Sequence, residues 1–322
     1  MRVIEIRQTG GPEVLVSEER ALPDPGPGQV RVRHAAIGLN MIDTYYRTGL
    51  YPAKLPLVPG VEAAGVVDGL GDGVQAVRLG DRVGYVGQNG AYAAFGVVAA
   101  DRLVRLPEAI SFEQAAASML KGMTAEFLAE RIVPIAAGDA VLVYAAAGGV
   151  GAILTQWLAR KGVRVIAAAG SPEKADIARR LGAEAVILYA QEDVSKRVAD
   201  LTDGRGVRVA FDSIGRATFE ATMKSLGRRG MFVSYGNASG PVPAFEPLQL
   251  PRAGSLMFTR PSLFDYTATA GELTASSSAL FERMQSGAIT VEIGQRFPLA
   301  QAADAHRAIE SRQTTGSTIL LP

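Results

Sequence analysis

Two textures of hydrophobic patterning divide the chain. Before about residue 111 the apolar residues come in short runs, VRVRHAAIG (30–38) and VEAAGVVDGLG (61–71), separated by Pro/Gly clusters such as PDPGPGQ (23–29). GDRVGYV (80–86) and GAYAAFGVV (90–98) continue the pattern. Short strands between frequent turns predict a barrel or a sandwich. Near residue 111 the texture changes. Ser111 and Gln114 have the spacing of a capping box, which predicts a helix through AAASMLKGMTAEFLAER. Strands and helices then alternate: AVLVYAA (140–146), a helix in which Val150, Ile153, Leu154, Trp157 and Leu158 share one face up to Gly162, and VRVIAAAG (163–170). Ser171-Pro172 opens another helix as cap and first residue. AEAVILY (183–189), a helix over 192–202, VRVAFDS (207–213), a helix over 217–226 and MFVSYG (231–236) follow. Such alternation predicts a parallel, doubly wound α/β sheet. SLMFTRPSL (255–263) reads as a strand leaving that unit, 271–286 and 299–311 as helices, and TILLP (318–322) as a last strand. An α/β unit flanked on both sides implies that the chain returns to its first domain.

The turn AAAGGVG (145–151) lies between a strand and an amphipathic helix. Small residues there let backbone N–H groups approach a pyrophosphate, and the helix N-terminus favours the anion. Read as A-x-x-G-x-x-G, Ala145 replaces the usual first glycine, with Gly148 and Gly151 in register. A lone glycine-rich turn is weak, since glycines also serve packing, but in a run of βα units it predicts a dinucleotide site. The second strand ends in Ala168-Ala169-Gly170-Ser171, without the acid that holds a free ribose 2′-hydroxyl. Nothing there repels a 2′-phosphate, and Lys174 one turn later can donate to it, although a solvated helix lysine is the bland alternative. The expected cofactor is therefore NADPH.

Composition narrows the chemistry. The 322 residues are enough for about two domains. A net charge of +1 disfavours a general electrostatic grip on nucleic acid or anionic membrane. There are no cysteines, so disulfides, thiolate metal sites and a cysteine nucleophile are excluded. The N-terminal MRVIEIRQTGG is too polar for a secretory signal and no apolar stretch is long enough to span a bilayer, which leads us to expect a cytoplasmic protein.

The motifs GPEVL (11–15), AIGLNMIDTYYRTGLYP (36–52), PGVEAAGVV (59–67), GDRV (80–83), AAAGGVG (145–151), FDSIGR (211–216), YGNASG (235–240), TRPSL (259–263) and ESRQTTGS (310–317) together cover essentially the whole chain. In this order they resemble the medium-chain dehydrogenase/reductase superfamily, and within it the zeta-crystallin-like quinone oxidoreductases. The resemblance implies a GroES-like β-barrel catalytic domain over 1–121 and 262–322, and a Rossmann dinucleotide-binding domain over 122–261. It implies NADPH-dependent reduction of quinones. Where the zinc alcohol dehydrogenases of the superfamily carry a cysteine and a histidine ligand, this chain has Asn40 and Val61, and its two histidines, His34 and His306, are read as surface or packing groups. No metal is expected, and Glu62 is read as structural. Asn40, Asp43 and Tyr45 match the family's segment near the nicotinamide and the substrate cleft, and Tyr51 is expected to line the same cleft, where tyrosines can bond or stack on a quinone; the alternative is a packed turn and helix with Asp43 as its cap. Thr124, Gly148, Gly149, Val150, Ser171, Lys174, Tyr189, Ser213, Asn237, Arg260 and Arg312 match cofactor positions, with Lys174 and Tyr189 at the 2′-phosphate. A homodimer joined along MFVSYG to SLMFTRP is a further implication. Two other readings stand beside quinone reduction: reduction of activated C=C bonds in enals or enones, and a non-catalytic NADPH-binding role, structural or RNA-associated.

Overall fold

The computed structural model describes all 322 residues. It divides into two compact units, Met1–Met123 with Tyr266–Pro322, and Thr124–Asp265. No helix is long and apolar enough to cross a membrane.

The first unit holds β1 (Arg2–Glu5), β2 (Val16–Glu19), β3 (Gln29–Leu39), α1 (Met41–Thr48), β4 (Glu62–Leu70), β5 (Arg82–Val86), β6 (Phe95–Ala99), β7 (Leu103–Arg105) and the start of α2 (Phe112–Glu130). Ser111 and Gln114 cap α2 reciprocally, at 2.9 and 3.1 Å. The second unit holds β8 (Ala140–Tyr144), α3 (Gly149–Arg160), β9 (Arg164–Ala169), α4 (Pro172–Arg180), β10 (Ala185–Leu188), α5 (Val194–Leu201), β11 (Val207–Asp212), α6 (Phe219–Ser225), β12 (Leu226–Ser234), α7 (Gln249–Arg252) and β13 (Met257–Thr259). After α8 (Leu263–Tyr266) the chain rejoins the first unit with α9 (Ala270–Gln285), β14 (Ile293–Pro298), α10 (Ala302–Glu310) and β15 (Ser317–Leu321).

In the first unit seven strands form one sheet, ordered β14-β15-β3-β4-β5-β7 with β6 also on β3. Its long strand β3 alternates inward Val30 and Val32 with outward neighbours, as period two requires, and these pack on Val67, Val77 and Val83. Beyond His34 the strand is buried almost continuously, and Ile37 and Leu39 join Ile4, Ile6, Tyr85, Tyr92, Leu299, Ala305 and Leu320 in a second core. Fully burying side chains of this size is worth about 1.5–3 kcal/mol each, which anchors the strand end from which α1 departs.

The second unit is a six-stranded parallel sheet in the order β10-β9-β8-β11-β12-β13. The order reverses between β8 and β11, which creates a crevice at the carboxyl ends of the strands. The span 255–263, read as one strand, is one only over Met257–Thr259; the chain turns through Arg260-Pro261-Ser262 and enters a helix at Leu263. Pro261 has no N–H to offer a neighbouring strand, and Ser262 Oγ accepts the N–H of Phe264, starting that turn.

Candidate active site

In the second unit the Gly-rich segment forms the turn from β8 into α3, with Gly148 as N-cap in extended conformation. Ala145 takes a left-handed φ of 51° where the common motif has glycine. A side-chain carbon at Gly151 would stand 2.2 Å from the carbonyl oxygen of Ala145, and one at Gly148 3.2 Å from it. The turn therefore tolerates only hydrogen at 151, and it leaves the first N–H groups of α3 without side-chain cover, a cradle fit for a pyrophosphate. Gly149 and Val150 form the first helical turn. At the end of β9, Ser171 caps α4 and accepts the N–H of Lys174 at 3.4 Å. Lys174 is half-buried there, and the hydroxyl of Tyr189 lies over Gly170, 2.7 Å from where its side-chain carbon would be. Ser171, Lys174 and Tyr189 thus gather at one strand end; the segment Ala168–Ser171 itself carries no carboxylate, and the carboxylate of Glu173 in the first turn of α4 is held by Ser171.

Ser213 follows β11 and Asn237 follows β12, and their turns interlock through Ala238 N–H on Ser213 O at 3.1 Å. Arg260 donates to Ser234 O at 2.9 Å, and the Asn237 side-chain oxygen accepts from its second nitrogen at 3.1 Å. Thr124 is a buried residue of α2. Arg312 lies in the other unit, exposed at the end of α10 with a φ of 59°. The sequence reading missed Asp212, whose carboxylate takes the N–H groups of Ile214 and Gly215 at 2.7 and 3.0 Å and the hydroxyls of Thr218 and Thr222 at 2.7 and 2.8 Å. It shapes the crevice turn after β11 and carries no chemistry of its own.

In the first unit the candidates surround the start of α1. Asn40, not Asp43, is the N-cap, and Asp43 sits at the third helical position with its carboxylate on the Asn40 N–H at 2.9 Å. The Asn40 amide nitrogen donates to Glu62 Oε2 at 2.8 Å, and Glu62 Oε1 accepts the N–H of Leu120 at 2.7 Å. Lys121 Nζ stands 3.6 Å from Glu62 Oε2. Gly38 makes room for this, since a side-chain carbon there would lie 2.2 Å from Glu62 Oε2 and 2.3 Å from Ala116 O. Burial pushes the Glu62 carboxyl up, opposed by Lys121 and then by its hydrogen bonds. Burial likewise raises Asp43 from 3.8 to about 7, against the pull of the Asn40 N–H, Tyr92 and Lys121.

A buried chain leads away from Asp43. Arg47 can only donate, so His306 Nδ1, 3.2 Å from its guanidinium, accepts. The ring proton is then on Nε2 and is donated to Tyr92 Oη at 2.9 Å, and Tyr92 donates to Asp43 Oδ2 at 3.1 Å. Burial, then the Arg47 charge, lowers His306 to about 3. A neutral imidazole pinned by a guanidinium passes no proton outward, so the chain is a strut that orients Asp43. Arg47 is anchored in turn by Glu310 at 2.9 Å. His34, expected at the surface or in packing, is also buried: its Nδ1–H donates to Ala93 O at 2.7 Å and its Nε2 accepts from Tyr85 at 2.9 Å. All four imidazole nitrogens are engaged within the protein, and no three side chains of metal-binding type converge. The donor set does not fit a catalytic zinc.

Tyr45 and Tyr51 meet edge-on at 5.3 Å, and Tyr51 meets Tyr46 at 5.8 Å. Tyr45 is buried, whereas Tyr46 and Tyr51 are half-buried. Lys121, Tyr92 and Tyr46 were not singled out from sequence. For Lys121 a signal existed, namely one charge in the otherwise uncharged stretch Ala115–Ala125.

Two family models and full-length relatives match the chain. Residues 26–108 match the alcohol dehydrogenase GroES-like domain, and residues 149–281 match the zinc-binding dehydrogenase family. A quinone oxidoreductase of Pseudomonas aeruginosa is 48% identical over 321 residues, 99% of each chain. The chain belongs to the quinone oxidoreductases of the medium-chain dehydrogenase/reductase superfamily. An Escherichia coli quinone oxidoreductase solved with NADPH superposes with a TM-score of 0.98 at 45% identity, covering 100% of both chains. A 2-haloacrylate reductase of a Burkholderia species is 40% identical over 327 residues, 98% of each chain. The zinc named in the matched family has no counterpart in this chain's donor set.

Proposed function

We propose that this protein transfers a hydride from NADPH to a quinone without a metal. The observation that carries the reading is full-length kinship with quinone oxidoreductases, one of them solved with NADPH, in a chain whose segment Ala168–Ser171 carries no carboxylate. NADPH supplies the hydride when bound. The α3 turn takes its pyrophosphate, with Thr124, Gly148, Gly149 and Val150 as contacts; Ser171, Lys174 and Tyr189 take its 2′-phosphate, and Ser213, Asn237, Arg260 and Arg312 its remaining polar groups. Asn40, Asp43, Tyr45 and Tyr51 shape the acceptor end. A quinone spreads the incoming charge over a conjugated ring, so orientation and a polar pocket do most of the work. The test is oxidation of NADPH with an ortho-naphthoquinone, beside NADH and after chelator treatment. Turnover that prefers NADPH and survives chelation is expected, and absence of turnover despite NADPH binding overturns the assignment.

The haloacrylate reductase relative favours a second reading, reduction of an activated C=C bond, for which 2-haloacrylates and enones in the same assay are the comparison. The outermost strand β13 leaves one sheet edge unpaired within the chain, and we place a homodimer contact there; a monomeric mass by light scattering at micromolar concentration overturns it. The absence of an apolar membrane-spanning helix fits a cytoplasmic location, which fractionation tests.

A further inference from the structure

Lys121 is 5% exposed and Glu62 fully buried, so both charges are removed from water. Their attraction is incomplete: Nζ stands 3.6 Å from Glu62 Oε2, a long contact that meets at most one of its donors, and it has no closer partner. Both Glu62 oxygens are already engaged, Oε2 by Asn40 and Oε1 by Leu120. An ammonium carries three N–H donors, and burying them unmet is costly unless another acceptor fills the place. Asp43 Oδ1 is also buried and unpartnered. Asn40 ties Asp43 to Glu62 through its N–H and its side-chain amide, and Lys121 faces the same Glu62 oxygen, so the two unpartnered groups belong to one side-chain cluster. Glu62 balances the charge of Lys121 without saturating its donors. That is the arrangement expected of a cation held ready for a negative oxygen in a site of low polarity.

We propose that Lys121 is the electrophilic residue of this site, its ammonium donating a hydrogen bond to the acceptor carbonyl oxygen that becomes negative as hydride arrives, with Glu62 and Asn40 as positioning residues. The inference rests on the reading of the protein as a quinone reductase. Hydride addition brings two electrons and one proton to the quinone, leaving NADP⁺ and the hydroquinone monoanion. Lys121 keeps its proton, and the monoanion takes its second proton from water.

Two variants test this. Lys121→Met removes the charge, and Glu62→Gln/Lys121→Met also removes the counter-charge, so that a lone buried carboxylate does not unfold the protein. Both are expected to bind NADPH as the wild type does while kcat falls about 100-fold, the usual cost of one lost oxyanion donor. The loss grows for quinones whose reduced oxygen is more basic, and Lys121→Arg recovers part of it. A binding readout is independent of turnover: NADP⁺-loaded wild type takes up 4-nitrophenol as the coloured phenolate, and the double variant binds it only in the neutral form. A folded double variant with wild-type kcat, an equal loss across quinones of different basicity, or unchanged phenolate binding overturns the role of Lys121 alone. If the wild type turns over no quinone, the functional reading fails and the inference with it.

Discussion

The dinucleotide turn and the polar centre around Glu62 meet opposite requirements. The turn after β8 is built of backbone: Ala145, Gly148 and Gly151 contribute little side chain, and what matters is what they leave out. The centre at the start of α1 is built of buried side chains drawn from α1 and its cap Asn40, from β4, α2 and α10, and from Tyr92 in the loop before β6. A backbone site tolerates no added atom, whereas a side-chain site is sensitive to charge and proton count. The two regions are therefore expected to fail in different ways.

The largest effect is expected at the turn. Gly151→Val forces a side chain to within 2.2 Å of the Ala145 carbonyl, so the turn must open. Overpacking of this kind costs about 1–3 kcal/mol, and we expect NADPH affinity, measured by fluorescence titration, to fall by about 10- to 100-fold. Affinity within a few-fold of wild type means the cofactor does not use this turn.

Next comes Asp43→Asn. Because Asp43 titrates at about 7 instead of 3.8, the folded protein holds one more proton than the unfolded chain between those values. Its contribution to stability is complete below 3.8 and is withdrawn as pH rises, by about 1.4 kcal/mol per pH unit. The variant relative to wild type is thus expected to become more stable as pH rises through this window, in chemical denaturation at stepped pH. A difference that stays flat with pH refutes the shifted carboxyl. His306 and His34 act in the other direction, since burial depresses them from 6.5 to about 3 and about 4. Their contribution is complete above 6.5 and is lost as pH falls, so both proteins share an acid-side decline that cancels in the difference.

Lys174→Ala separates the two regions at intermediate size. Loss of one charge-assisted contact raises the NADPH KM by about 10-fold, about 1–2 kcal/mol, and leaves NADH use unchanged. Equal losses with both cofactors remove Lys174 from the 2′-phosphate. The smallest effect belongs to Ala145→Gly. It relieves the left-handed φ of 51° but frees the unfolded chain, and these nearly offset, leaving a stability change below about 1 kcal/mol.

Legibility in sequence followed the same divide. The turn was readable because its requirement is local: a strand, a run of small residues and an amphipathic helix occupy 140–160 without interruption. The strand order, with its reversal between β8 and β11, followed from alternation of elements only as a class of fold. At the polar centre the segment NMIDTYY was found through family resemblance, but its logic was not. Its spacing alone allows Asp43 as the helix cap, whereas Asn40 takes that place and Asp43 reaches back to it. His306 looked isolated because its partners Tyr92 and Arg47 lie 214 and 259 residues away.

Taken alone, the sequence determined the periodicities, the caps at Ser111 and Ser171, the glycine-lined turn, and, through the absence of cysteine, the exclusion of thiolate chemistry. These depend on residues within a few positions of one another, where spacing is geometry. Only the tertiary structure decided that Glu62 is engaged by Asn40 and Leu120 while Lys121 is left with open donors, that both histidines are neutral and fully bonded, and that Asp43 titrates near neutrality. Burial and hydrogen bonding belong to groups brought together by sheet pairing and helix packing, and a charge takes its chemistry from those neighbours.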